Sequence, residues 1–212
     1  MSNEVRDKRL TSEYEGMKRL IGESSLIRFE IDDETLPEQY IVEFLCRGLA
    51  QRDQVAELHR VHIYLPAEYP RLAPGIRFKT PVFHPNIKAM LDDSEDIERL
   101  AATVGGMHNL QMLYSQDPNV RELFEAHVCL DVLALNWTPA VTLSDICIEL
   151  GAMIQYQRFN VDDPLNHDAA EWARWARTQP GLLPVGDRQF QRPQPKVSDL
   201  PIRILKTERV PS

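Results

Sequence analysis

Cysteine is scarce in this chain of 212 residues. The three present, Cys46, Cys129 and Cys147, are odd in number, widely spaced and contain no C-x-x-C pair. That excludes a disulfide framework and a cysteine-rich zinc site, and fits a reducing compartment. Positive charge is short as well. Lys and Arg total 24 against 32 Asp and Glu, a net charge of −8, which speaks against nucleic acid as a partner. No apolar run approaches the roughly eighteen residues of a membrane span, and the first residues are charged instead of forming a hydrophobic signal core. There is no internal repeat. The expectation is a cytoplasmic protein with neither nucleic acid nor membrane as partner, built as one sizeable domain plus a tail.

The chain opens with Leu10, Tyr14, Met17, Leu20 and Ile21 at helical spacing, predicting an amphipathic helix over 4–22. Its other face gathers Arg6, Lys8, Arg9, Lys18 and Arg19, a candidate docking face for a partner protein. Strands are predicted at 26–31, 40–46, 56–65 and 75–79, where β-branched and aromatic residues alternate or run together. Pro66, Pro70, Pro74, Pro81 and Pro85 then forbid regular ladders. Ile97, Leu100, Ala101 and Val104, then Val120, Leu123 and Phe124, return to helical spacing within an acidic segment, broken at Gly105-Gly106 and Asp117-Pro118. A helix is predicted over 142–157, capped by Thr142 or Ser144, and a last one over 166–177 with Trp172 and Trp175 as packing anchors. Residues 178–212 hold six of the fifteen prolines and few large apolar side chains, the composition of a tail.

Four motifs carry the chemistry. In order they are Tyr69-Pro70, with Pro74 and Phe78; His84-Pro85-Asn86; His127-Val128-Cys129-Leu130-Asp131 running on to Trp137-Thr138-Pro139-Ala140; and Asp162-Asp163-Pro164-Leu165-Asn166. Together, over roughly residues 5 to 177, they resemble the ubiquitin-conjugating enzyme family. The resemblance implies an α+β fold: an N-terminal helix, a four-stranded antiparallel meander and C-terminal helices. It places the catalytic domain at 1–177 and a Pro-rich tail at 178–212. The departure is length. Forty-two residues separate Asn86 from Cys129 where the family has a short loop, so a helical insertion over about 88–126 is expected.

By the same resemblance Cys129 accepts the C-terminal carboxyl of a ubiquitin-like protein as a thioester, delivered by an activating enzyme, and yields it to an amine. Thiolate is a strong nucleophile and a few per cent of an ordinary cysteine is ionised at neutral pH. The thioester stores the activation, so no metal or other cofactor is expected. Asn86 takes the family position of the amide that donates to the oxyanion, and His84 that of a neighbour holding the loop. Asp163, or Asp162 if the register slips by one, lines the approach of the attacking lysine, and Asp131 is a further acid at the mouth. Trp137, Pro139, Ala140 and the 69–72 segment match the loops that meet ligases, but Arg71 stands where many members working with RING-type ligases carry a bulky apolar residue. Two other readings stay open: a non-catalytic binding module for a ubiquitin-like protein, and a cysteine hydrolase pairing Cys129 with His127, which would project to one side of an extended segment. A zinc site from His84, His108, His127 and Cys129 lacks recognisable ligand spacing.

Overall fold

The computed structural model describes residues 3–23, 25–91, 94–128 and 137–191. Helix α1 (Asn3–Glu23) buries Leu10, Glu13, Met17 and Leu20, a stripe one side chain wide that packs on α5 (Leu143–Ile154). The meander follows as β1 (Ile27–Ile31), β2 (Gln39–Phe44), β5 (His59–Tyr64) and β6 (Gly75–Phe78). Every neighbouring pair is antiparallel, and Val42 faces Val61 while Val61 faces Phe78, so one apolar row crosses three strands. A small hairpin, β3 (Gly48–Gln51) with β4 (Gln54–Ala56), branches out between β2 and β5. It had no sequence signal, its strands being too short to show alternation.

The sheet does not stop at four strands. β8 (Ala126–Val128) adds to β6 and β7 (Ile87–Lys88) adds to β8, giving the order β1-β2-β5-β6-β8-β7. Both added strands are the flanks of the insertion, so it grows from a hairpin at the sheet edge and its two ends meet. Between them lie α2 (Ser94–Thr103), α3 (Met107–Gln116) and α4 (Pro118–Glu122). The breaks fall where the sequence put them. Gly105 and Gly106 take φ of 86° and 119°, a left-handed exit from α2 that a side chain would strain. Asp117 caps α4 by accepting from Asn119 N at 2.9 Å, with Pro118 in the first turn.

Helix α5 opens on a capping box between Thr142 and Asp145 and buries Ile146, Cys147, Leu150, Met153 and Ile154 against the sheet. Helix α6 (His167–Ala176) is capped by Asn166, whose side chain accepts from Ala169 N at 3.0 Å. It anchors a second apolar cluster through Trp172, Ala170 and Ala173, packed against Tyr156, Val161 and Leu49. Trp175, expected beside Trp172 as an anchor, is 51% exposed: three residues on, it has rotated to the rim of the buried face. Cys46 is buried in the bend after β2 instead of within the strand. Beyond α6 the chain returns to the body, with Phe190 against Phe44 at 5.9 Å and Gln155 bonded to Arg188 N at 2.7 Å.

Candidate active site

The site begins at the turn after Pro81. His84 and Asn86 are both fully buried. His84 Nδ1 accepts from Asn86 N at 3.1 Å, and its ring lies 4.9 Å from that of Tyr156. Burial drives the imidazole pKa down to about 3, the backbone of Arg158 opposing only weakly, and Nε2 has no well-aligned partner. This histidine is neutral and encased, and it serves as a spacer inside the loop.

Asn86 departs from the picture of an amide over an open cleft. Its Nδ2 donates to Asn160 O at 2.8 Å and its Oδ1 accepts from Asn160 N at 2.8 Å. One Nδ2 hydrogen and Oδ1 are therefore engaged by the backbone C=O and N–H of a single residue seventy-four positions away. Asn86 is a clamp between the H-P-N turn and the loop that follows α5.

That loop carries the acids. Asp162 N donates to Asn160 Oδ1 at 2.9 Å, while Leu165 N and Asn166 N both donate to Pro85 O, at 2.8 and 2.9 Å. Asp162 and Asp163 are thus held at the solvent edge of the H-P-N turn, both exposed. Tyr156 sets the path of this loop. It takes φ of 57°, unusual for an aromatic residue, and its hydroxyl donates to Phe83 O at 2.6 Å while its ring meets His84, Phe159 and Trp172. Such a conformation costs about 1–3 kcal/mol and is held only by the surrounding packing.

The β7–β8 register pairs Ile87 with Val128 and Lys88 with His127, which sets Val128 beside the H-P-N turn. Cys129 and Asp131 come next in sequence and lie outside the described residues. The other two cysteines are buried: Cys46 has its thiol pushed up to about 12 by desolvation, and Cys147 is raised further by the same cause. Neither can supply a thiolate near neutral pH. His127 is exposed in β8, opposite Arg77 on one side and Lys88 on the other.

The residues expected to meet partners divide. Arg9, offered as a docking residue, is turned onto the protein itself: it donates to Pro139 O at 2.7 Å and Val141 O at 2.6 Å and pairs with Glu13 at 2.6 Å. Arg6 likewise pairs with Glu38 at 2.6 Å. The reason is Glu13, a buried carboxylate that accepts from Tyr69 Oη at 2.6 Å and from Leu143 N at 2.8 Å, where the positive end of α5 favours it. Trp137 Nε1 donates to Pro70 O at 3.1 Å, and its ring lies 5.7 Å from Tyr69. Arg9, Glu13, Tyr69 and Trp137 together lock the 66–72 and 137–141 loops side by side. Pro139 and Ala140 stay exposed, as do Arg71 and Leu72, and no described residue pairs with Arg71.

The profile of the ubiquitin-conjugating enzyme family matches residues 112–179, from α3 through Cys129 to α6. Over that stretch the chain is similar to the family. Among its relatives, Ubiquitin-conjugating enzyme E2 13 of Saccharomyces cerevisiae is 28% identical over 124 residues, covering 58% of this chain and 56% of the relative. Ubiquitin-conjugating enzyme E2 N of Drosophila melanogaster is 30% identical over 112 residues, covering 53% of this chain and 50% of the relative. The chain spans about half the length of the curated relatives it matches. In three dimensions it is similar to a solved structure assigned to a ubiquitin conjugating enzyme of Plasmodium yoelii, with a TM-score of 0.50 and 20% identity over 81% of this chain and 86% of that one, a likeness of fold.

Three features of the site were not read from the sequence. Glu13 falls between Leu10 and Met17 on the apolar stripe, which is the signal that would have found it. Asn160 and Tyr156 act through contacts with residues distant in sequence, and nothing in their local pattern marks that.

Proposed function

We propose that the chain is a ubiquitin-conjugating-type transferase that carries a ubiquitin-like protein as a thioester on Cys129 and passes it to a lysine amine. The observation that carries this reading is the Ile87–Val128 register: the insertion closes at its base, and the segment entering V-C-L-D starts beside the H-P-N turn. In the first step the Cys129 thiolate attacks the modifier's thioester on the activating enzyme, whose sulfur leaves. In the second, the lysine nitrogen attacks the new thioester, its proton is released at the Asp163 edge, and the Cys129 sulfur departs as thiolate. Lysine has a reference pKa of about 10.4, so an exposed carboxylate that orients the amine and accepts its proton has a clear use. Asn86 serves this step by positioning the loop that carries Asp162 and Asp163. The partners are then a ubiquitin-like modifier, its activating enzyme and a lysine-bearing target, with the 66–72 and 137–141 loops available to a ligase. Among the described residues no helix is long and apolar enough to cross a membrane.

Incubation with activating enzyme, modifier and ATP tests the reading on a non-reducing gel. The expected outcome is a thiol-sensitive adduct that is lost in Cys129→Ala, becomes thiol-resistant in Cys129→Ser, and persists in Cys46→Ser and Cys147→Ser. Modifier binding without any adduct would favour the binding-module reading, and cleavage of a modifier conjugate dependent on His127 would favour the hydrolase.

A further inference from the structure

The insertion creates a cleft. Its volume is about 770 Å³, within the range of about 300–1,000 Å³ that ligand-sized sites occupy. One wall is the β3–β4 turn with the 79–83 strap, and the other is the insertion, through Tyr114, Arg121 and Phe124. The charge of this lining is opposite to that of the molecule. Among the described residues the lining holds Arg52, Lys79, Lys88 and Arg121 against one carboxylate, Glu125, in a protein whose net charge is −8. Glu125 is itself paired with Lys79. Arg121 gives its guanidinium hydrogens to Tyr114 O and Ser115 O at 3.3 and 3.2 Å, which fixes its position and leaves its charge uncompensated by any carboxylate in the lining. Arg52 is exposed at the turn, and no described residue pairs with it. Between the cations lie apolar surfaces from Val82, Phe83 and Phe124.

The cleft also has a direction. Ile87, Lys88 and Asn166 belong to its lining, and these residues flank the H-P-N turn and the segment carrying Asp163. We propose that this cleft binds an acidic segment of the acceptor protein, with apolar side chains interleaved among the carboxylates, and so presents a neighbouring lysine to the site. The proposal rests on the transferase reading for its purpose, but its binding chemistry is independent of Cys129. Charge complementarity selects the occupant: carboxylates meet the guanidinium groups of Arg52 and Arg121, and a basic segment is repelled.

Fluorescence anisotropy with the uncharged protein supplies the test. The probe is a short labelled peptide of Glu, Leu and one Lys, set against a counterpart in which every Glu is Gln. Binding on the order of ten-fold tighter for the acidic peptide, weakening with salt, is expected. Arg52→Glu should remove most of that preference, and Arg52→Lys should restore it. The charged protein should then discharge onto the lysine of the acidic peptide faster than onto that of its counterpart. Equal binding of the two peptides, or an unchanged preference in Arg52→Glu, would overturn the proposal even if Cys129 forms its thioester. Failure of thioester formation would leave the binding comparison as the separate measure of the cleft.

Discussion

At Asn86 one primary amide holds two loops together, and the consequences can be separated from chemistry. Asn86→Ala should lower stability by about 1–3 kcal/mol through the loss of two hydrogen bonds to the Asn160 backbone, and slow discharge to lysine alongside. Asp163→Ala, at an exposed position, should change stability by less than about 0.5 kcal/mol yet slow discharge, less so at high pH where lysine is already neutral. Urea unfolding with single-turnover discharge measures both, and an Asn86→Ala protein of unchanged stability would contradict the clamp. His84 makes a prediction of its own. Its folded pKa of about 3 lies below the ordinary 6.5, so between these values the unfolded chain takes up a proton that the native state refuses. Stability should therefore fall as pH drops from 6.5 towards 3, by up to about 1.4 kcal/mol per pH unit from this group. His59, also lowered by burial, acts in the same direction. His84→Gln should flatten the slope without abolishing it, read as urea midpoints between pH 7.5 and 5; an identical slope would show that His84 is not the proton-refusing group.

Among the elements, the insertion behaves as an appendage with a well-made base. Its buried residues Ala101 and Leu110 belong to neither apolar cluster of the body, and Tyr114 packs edge-on to Phe124 at 5.4 Å inside the insertion itself. It is tied to the body mainly by Arg77 to Glu122 at 2.5 Å and Lys79 to Glu125, while the Leu91 N to Leu123 O bond at 2.8 Å joins two parts of the insertion itself. Such partly exposed ion pairs contribute at most about 1 kcal/mol each. Replacing residues 89–125 with a short Gly-Ser loop should therefore leave a cooperatively folding protein, because Lys88 and His127 already face each other across the hairpin. Thermal or urea unfolding decides it, and a broad non-cooperative transition would place the insertion within the core. The same deletion removes one wall of the cationic cleft.

On the scale of the whole molecule, the face formed by the 66–72 and 137–141 loops is rigidly built yet chemically unusual at Arg71. A guanidinium carried into an apolar groove without a partner is costly, so generic RING-type domains should stimulate discharge weakly and Arg71→Phe should raise that stimulation several-fold. Strong stimulation of the wild type, unchanged in Arg71→Phe, would show that Arg71 does not set the contact. Much of this architecture was legible in the residues. Periodicity gave α1, α5, α6 and the meander to within a few positions, and Gly105-Gly106 and Asp117-Pro118 marked the joints of the insertion, because helices, caps and turns are decided by interactions within a few residues of each other. The motif residues His84, Asn86, Cys129 and Asp163 were likewise in the sequence, as a chemical inventory. Only the tertiary structure decided which polar groups remain available. Arg9 is engaged by Pro139 and Val141, Glu13 by Tyr69 and Leu143, and one N–H and the oxygen of the Asn86 amide by Asn160. These partners lie between 56 and 132 residues apart, and a hydrogen bond across that separation leaves no period, composition or spacing from which it could be read.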